Sequence, residues 1–240
     1  MSELFSKCIN LVKIYKESKW NTSNVNDMSK MFYNCKKLKI FPEIKGWDVS
    51  NVLNFDELFN GCYSLIELEG LLNWKTDNLT DMKSLFENCQ SLETIEGISK
   101  WKTNNVTDIS RMFFNCIKLK HLPDALAWDT KNVIFMQEMF KECSKLERLP
   151  DISGWNVSNV NNFSSLFNNC KSLKNLPELS SWSPKNEATK EKMFNGCESL
   201  ETLPDISNWF FEEDNLINGC LSLKFKPKYI DGHYIFEKNN

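Results

Sequence analysis

Cysteine is the residue of this sequence best placed to do chemistry, and there are nine of them. Eight stand at Cys8, Cys35, Cys62, Cys89, Cys116, Cys143, Cys170 and Cys197, a constant 27-residue step, and Cys220 follows at a shorter one. Thiols can bridge, bind metal or attack. Metal sites favour ligands in close pairs such as C-x2-C, which the sequence lacks. An odd number leaves at least one thiol unbridged. A small apolar residue filling one tight position of a repeated unit explains the ladder, because free cysteine is among the most buried residue types. Unbridged thiols also suit a reducing compartment. The two histidines, His121 and His233, lie far apart in the sequence, and each reads as a surface residue. The acidic series Glu43, Asp124, Asp151, Glu178 and Asp205 could line a calcium row. Calcium needs six or more oxygens from a dedicated loop, so turn capping explains these carboxylates better. Phosphate loops, His-Glu-x-x-His and nucleophile elbows do not occur. The expectation is therefore no catalytic residue, no metal and no cofactor; a hydrolase on a solenoid is an alternative resting only on those carboxylates.

The elements that position these residues follow from the same period. Tryptophan recurs from Trp20 to Trp209 and phenylalanine from Phe5 to Phe194, both at 27-residue steps. A leucine follows each cysteine by three, and an asparagine follows each of the first seven tryptophans by four, from Asn24 to Asn186. Self-similarity at this period signals a solenoid or a propeller, and a 27-residue unit is too short for a four-stranded blade. Apolar residues at offsets 1, 4, 7 and 8 from the asparagine, such as Val25, Met28, Met31 and Phe32, predict one face of a short helix. The asparagine would cap it, with Asp27, Asp81 and Asp108 near its positive end. Alternatively, the asparagine side chains bond the next coil's backbone. The Leu-x-x-Leu/Ile segments, many followed by proline, predict a short strand per repeat, stacked in parallel. The predicted fold is an α/β solenoid, a right-handed coil of about eight 27-residue repeats over residues 1–223. Residues 224–240 form its cap, in which Asp231-Gly232 marks a hairpin. The seventh unit is degenerate, with Glu187 and Lys190 where others carry Val and Met. Strict periodicity places the aromatic ladders in the core rather than on a carbohydrate-stacking surface. The Asn-x-Ser/Thr sequons at Asn21, Asn78, Asn105, Asn156 and Asn162 read as accidents of an asparagine-rich chain.

The run Phe-x-x-Cys-x-x-Leu-x-x-Leu/Ile, often followed by Pro, resembles the leucine-rich repeats of BspA-like bacterial surface proteins. The segment Trp-x-x-Ser/Thr/Asp-Asn-Val-x-x-Met-x-x-Met-Phe is similar to the repeats of mycoplasma surface proteins. Together the motifs cover Leu4 to Leu223. The resemblance implies a leucine-rich-repeat fold and a role in adhesion or protein binding, and it brings no catalytic residue.

With the conspicuous residues assigned to packing, the variable ones carry the functional expectation. The residue just before the second strand leucine should point outward, giving the row Lys13, Ile40, Glu67, Thr94, His121, Arg148, Asn175 and Thr202. Two residues on come Tyr15, Pro42, Glu69, Glu96, Pro123, Pro150, Pro177 and Pro204. A constant core under a heterogeneous outer row is the pattern of a binding solenoid. The expected function is a monomeric, non-enzymatic scaffold that binds a protein on this face. The net charge of −3 gives no reason to expect nucleic acid, and no apolar run reaches about 18 residues. Met1–Cys8 lacks the pattern of a secretory signal, which suggests a cytoplasmic or host-intracellular location. A cell-surface adhesin, exported as part of a longer protein, is the alternative.

Overall fold

In the computed structural model, which describes residues 1–14, 20–39, 44–124 and 126–236, the chain winds into coils that stack at the 27-residue period. Two aromatic columns run through the stack. Phe59 lies 5.6 Å from Phe86 with rings 2° from parallel, and Trp74 lies 5.9 Å from Trp101 at 7°. Methionine, cysteine and leucine ladders fill the space beside them, and Met82, Phe86, Cys89 and Leu92 are all fully buried. Each coil buries its own copy of the same side chains against its neighbours, so the core is a line rather than a ball.

The segment after each asparagine is not the expected helix. No α-helix occurs among the described residues. From Met28 to Cys35 the backbone runs through successive turns, with Lys30 and Asn34 in the left-handed region at φ 55° and 57°. The same pair recurs in later coils, for example Ser84 with Asn88 and Arg111 with Asn115. Alternate amides have different partners. Met31, Tyr33 and Cys35 donate three residues back, whereas Met28, Lys30, Phe32 and Asn34 donate to Asn54, Asp56, Leu58 and Asn60 of the next coil. Left-handed residues cannot continue an α-helix, and amides shared with the next coil cannot close intrahelical bonds. The apolar offsets still hold: Met28, Met31 and Phe32 are buried and Val25 is half-buried. Asp27, Asp81 and Asp108 sit at no helix end; each carboxylate accepts the amide two residues on, at 2.8 Å.

The expected parallel strands are also absent from the described Leu-x-x-Leu/Ile segments. Backbone bonds between coils are sparse there: Glu93 N–H donates to Ile66 O at 3.0 Å and Glu147 N–H to Lys120 O at 3.0 Å, and a second bond, such as Ser199 N–H to Lys171 O at 3.1 Å, joins them in the later coils. A turn closes just before, with Leu92 N–H on Cys89 O. In several coils proline follows and has no N–H to give. Parallel bridges occur instead at the start of the turn segment, from Asp27 with Asn54 to Asn162 with Thr189.

The only strands among the described residues are at the C-terminus. Strand β1, Lys228–Ile230, pairs antiparallel with β2, His233–Ile235. Asp231 and Gly232 between them are both left-handed, the turn that matches strand twist. The hairpin packs on the last coil: Phe211 N–H donates to Gly232 O at 2.7 Å, and Tyr234 is fully buried. The Tyr234 hydroxyl donates to Asp214 at 2.8 Å and accepts Leu216 N–H at 3.2 Å. In the degenerate seventh unit Lys190 occupies a core position, 5% exposed. Its ammonium donates to the carbonyls of Lys185, Asn186 and Ala188 at 2.8, 3.2 and 2.8 Å, and burial lowers its pKa.

Candidate functional site

The cysteines, first in chemical promise, form a closed hydrogen-bonded column. From Cys35 to Cys197 each thiol donates to the carbonyl of the phenylalanine 30 residues earlier, as Cys116 does to Phe86 at 3.1 Å. All nine are unbridged, and all but Cys8 are buried. Burial pushes the Cys35 thiol up to about 12 and Cys220 to about 11. A nucleophile needs the opposite shift. The indoles repeat this geometry: Trp74, Trp101 and Trp128 donate to the carbonyls of Ile44, Leu71 and Ile98, each at 3.0 Å. Among the described residues no three His, Cys, Asp or Glu side chains converge to hold a metal.

The asparagine ladder takes the second of its two expected roles. Asn51, Asn78, Asn105, Asn132 and Asn159 each donate to a carbonyl 28 residues earlier, at 2.7 to 2.8 Å. Of the acidic series, Asp151 and Asp205 cap turns by accepting the amides of Ser153 and Ser207, and these bonds lower their pKa values. Asp124 instead pairs with Arg148, and Glu43 lies outside the described residues. Half-buried Asp56 is raised to about 6 by desolvation and by Glu57 and Asp81. Arg111 grips Glu87 with two nitrogens at 2.9 and 2.7 Å, also pairs with Glu138, and lies over the Phe114 ring at 4.2 Å. The Arg111 charges are paired with one another, whereas Asp56 keeps one buried carboxylate oxygen without a hydrogen-bond partner among the described residues.

The outer row is where a partner could be met. Lys13, Glu67, Arg148, Asn175 and Thr202 are exposed, while Thr94 and His121 are half-buried; Ile40 lies outside the described residues. The row continues from coil to coil, with the Thr202 hydroxyl 3.5 Å from the Asn175 carboxamide. The second row divides. Glu69 and Glu96 are exposed, but Pro123, Pro150 and Pro204 are buried and Pro177 half-buried, so those prolines do not face solvent as expected. Proline packs inward because its ring closes the turn and its nitrogen needs no partner. Tyr15 and Pro42 are outside the described residues.

One ladder on this face escaped the sequence reading. One position before the outer row, the residues run Ile66, Glu93, Lys120, Glu147, Lys174, Glu201 and Lys224, alternating in charge from Glu93 onward. Lys120 reaches Glu93 at 3.8 Å and Lys224 reaches Glu201 at 2.7 Å. Like charges stacked directly would repel, and alternation avoids it. The signal was present at the 27-residue step; it shows only when charge, rather than residue identity, is read along the period.

A family model described as "Mycoplasma protein of unknown function, DUF285" matches residues 1–95, 64–174 and 89–209. No curated protein matches the sequence. Among solved structures, the Leucine Rich Repeat protein of T. pallidum is 14% identical, with a TM-score of 0.34 over 92% of this chain and 69% of that one. A leucine-rich repeat protein from Bacteroides ovatus is 18% identical, with a TM-score of 0.26 over 92% and 80%. A leucine rich cell surface protein from Faecalibacterium prausnitzii is 19% identical, with a TM-score of 0.35 over 89% and 76%.

Proposed function

The chain belongs to the Mycoplasma family of unknown function DUF285, and on that premise we propose that it is a non-enzymatic repeat scaffold that binds a protein partner across its outer row. The observation that carries this reading is a contrast. Buried thiols, most of the buried indoles and the ladder asparagines are engaged in coil-to-coil bonds, whereas Glu67, Arg148, Asn175 and Thr202 differ from coil to coil and are exposed. Residues arrayed as ladders serve stacking; a surface that varies over a constant core can be recognised. The unbridged cysteines support a place in a reducing compartment. Detection of the protein on intact cells by protease shaving would overturn that placement and favour the adhesin reading.

Affinity capture with the wild type and with the variant Glu67→Ala, His121→Ala, Arg148→Ala tests the face. The variant should lose a partner that the wild type retains, with an unchanged thermal transition. Identical partner sets would mean that this row does not bind.

A further inference from the structure

The third and fourth coils depart from the array on the outer face. Where five of the other coils have Pro followed by Asp or Glu, as in Pro123-Asp124, Pro150-Asp151 and Pro204-Asp205, these two have Glu69-Gly70 and Glu96-Gly97. The glycines are required by close approach. A Cβ on Gly70 would stand 2.5 Å from the Lys45 backbone nitrogen, and one on Gly97 would stand 2.4 Å from the Leu71 Cβ. With no side chain on either, the two coils draw together and leave an open depression of about 320 Å³. Its lining is more apolar than polar and includes Leu72, which is 56% exposed although few large apolar residues of the chain are so uncovered. Glu67, Glu69 and Glu96 stand around it, all exposed.

The charges set this groove apart from the rest of the face. Several carboxylates elsewhere on the outer surface have cationic partners, Glu93 with Lys120, Asp124 with Arg148 and Glu201 with Lys224, and Asp151 and Asp205 accept turn amides. Glu67, Glu69 and Glu96 form no ion pair with any described residue. The charge ladder also fails here, since Ile66, 47% exposed, holds the place that charged residues take in later coils. An apolar floor under an unneutralised acidic rim matches one kind of occupant.

We infer that the groove of the third and fourth coils binds an extended basic segment of a partner protein, with an apolar side chain on Leu72 and flanking lysine or arginine side chains on Glu67, Glu69 and Glu96. This rests on the protein-binding reading above and names the chemistry of the partner. The apolar contact supplies area, and the carboxylates choose the sign of the charge that enters.

The test uses a fluorescein-labelled heptapeptide of alternating lysine and leucine, titrated by fluorescence anisotropy. The wild type should bind it, more weakly as salt is raised. The same peptide with glutamate for lysine should not bind, and serine for leucine should weaken it. The affinity should fall about tenfold in the double variant E69Q/E96Q and in L72S, the scale of two exposed charge contacts or one apolar anchor. Thermal transitions should not move, because all three side chains are exposed. Absence of binding to the wild type, or equal binding of the glutamate peptide, or unchanged affinity in the variants, overturns the inference. Its failure is separable from that of the wider reading: a chain that captures a partner through His121 and Arg148 but binds no lysine–leucine peptide fails the inference alone, and a capture variant limited to His121→Ala and Arg148→Ala leaves the groove's Glu67, Glu69 and Glu96 in place.

Discussion

In the middle coils a thiol, an indole and a carboxamide each reach back to a carbonyl of the coil before. These side chains are core residues and donors at once, which explains why their types are held so strictly: leucine in place of tryptophan would fill space but leave a buried carbonyl without its donor. Trp101 is the plainest case, 1% exposed, stacked on Trp74 and bonded to Leu71 O at 3.0 Å. Trp101→Ala should cost roughly 3–5 kcal/mol, the range for large aromatic truncations in a core. Urea unfolding measures it, and a change near zero would return the tryptophans to the list of ligand-stacking residues. The burial of these residues was readable from period alone. Their acceptors were not, because a carbonyl 30 residues away is set by coil path and pitch.

Among elements, the turn run between each asparagine and cysteine decides the architecture. Its left-handed residues let alternate amides leave the coil and bond the next one. Gly61 holds one such position at φ 76°, where a Cβ would meet Asn34 Oδ1 at 2.4 Å. Gly61→Ala should therefore destabilise by about 1–2 kcal/mol. Gly46, where a Cβ would have nothing within 4 Å, should accept alanine within about 0.5 kcal/mol. Equal urea midpoints for the two variants would remove the strain argument. This element also marks the limit of what sequence discloses. Offsets 1, 4, 7 and 8 mark a buried face, and both a helix and this turn run present one. Asn34, Gly61, Asn88, Asn115 and Gly196 stand just past the last apolar offset, where they read equally well as a helix stop, and the left-handed residues inside the unit, Lys30, Glu57, Ser84 and Arg111, are of types that give no sign of positive φ. The hairpin was legible from Asp231-Gly232 because two-residue turns are chosen locally. The outer row could be located from its spacing, but the depression between the third and fourth coils could not: it depends on how closely two glycine-bearing coils approach.

On the scale of the whole molecule, a column of protonated thiols ties stability to pH. Cys35 and Cys220 are raised to about 12 and about 11, and the fully buried thiols between them are also raised, chiefly by desolvation. Unfolded thiols ionise at about 8.5. The folded pKa values lie above the unfolded ones, so the native state holds more protons between the two. The stabilisation is complete below the unfolded value and is lost as pH rises through the folded ones, by about 1.4 kcal/mol per pH unit for each thiol. Urea midpoints in reductant should fall between pH 8.5 and 10.5 more steeply than one thiol allows, and Cys116→Ala should flatten the slope. A constant midpoint up to pH 10 would contradict this. The strict period carries one more consequence. Because neighbouring coils hold one another through the same few bonds, a chain pulled from its ends would lengthen in equal steps, roughly 90 Å of extended backbone for each 27-residue unit freed. The shortened unit between Cys197 and Cys220 would yield a visibly smaller increment. The molecule is, mechanically, a ruler whose graduations are written in its cysteines.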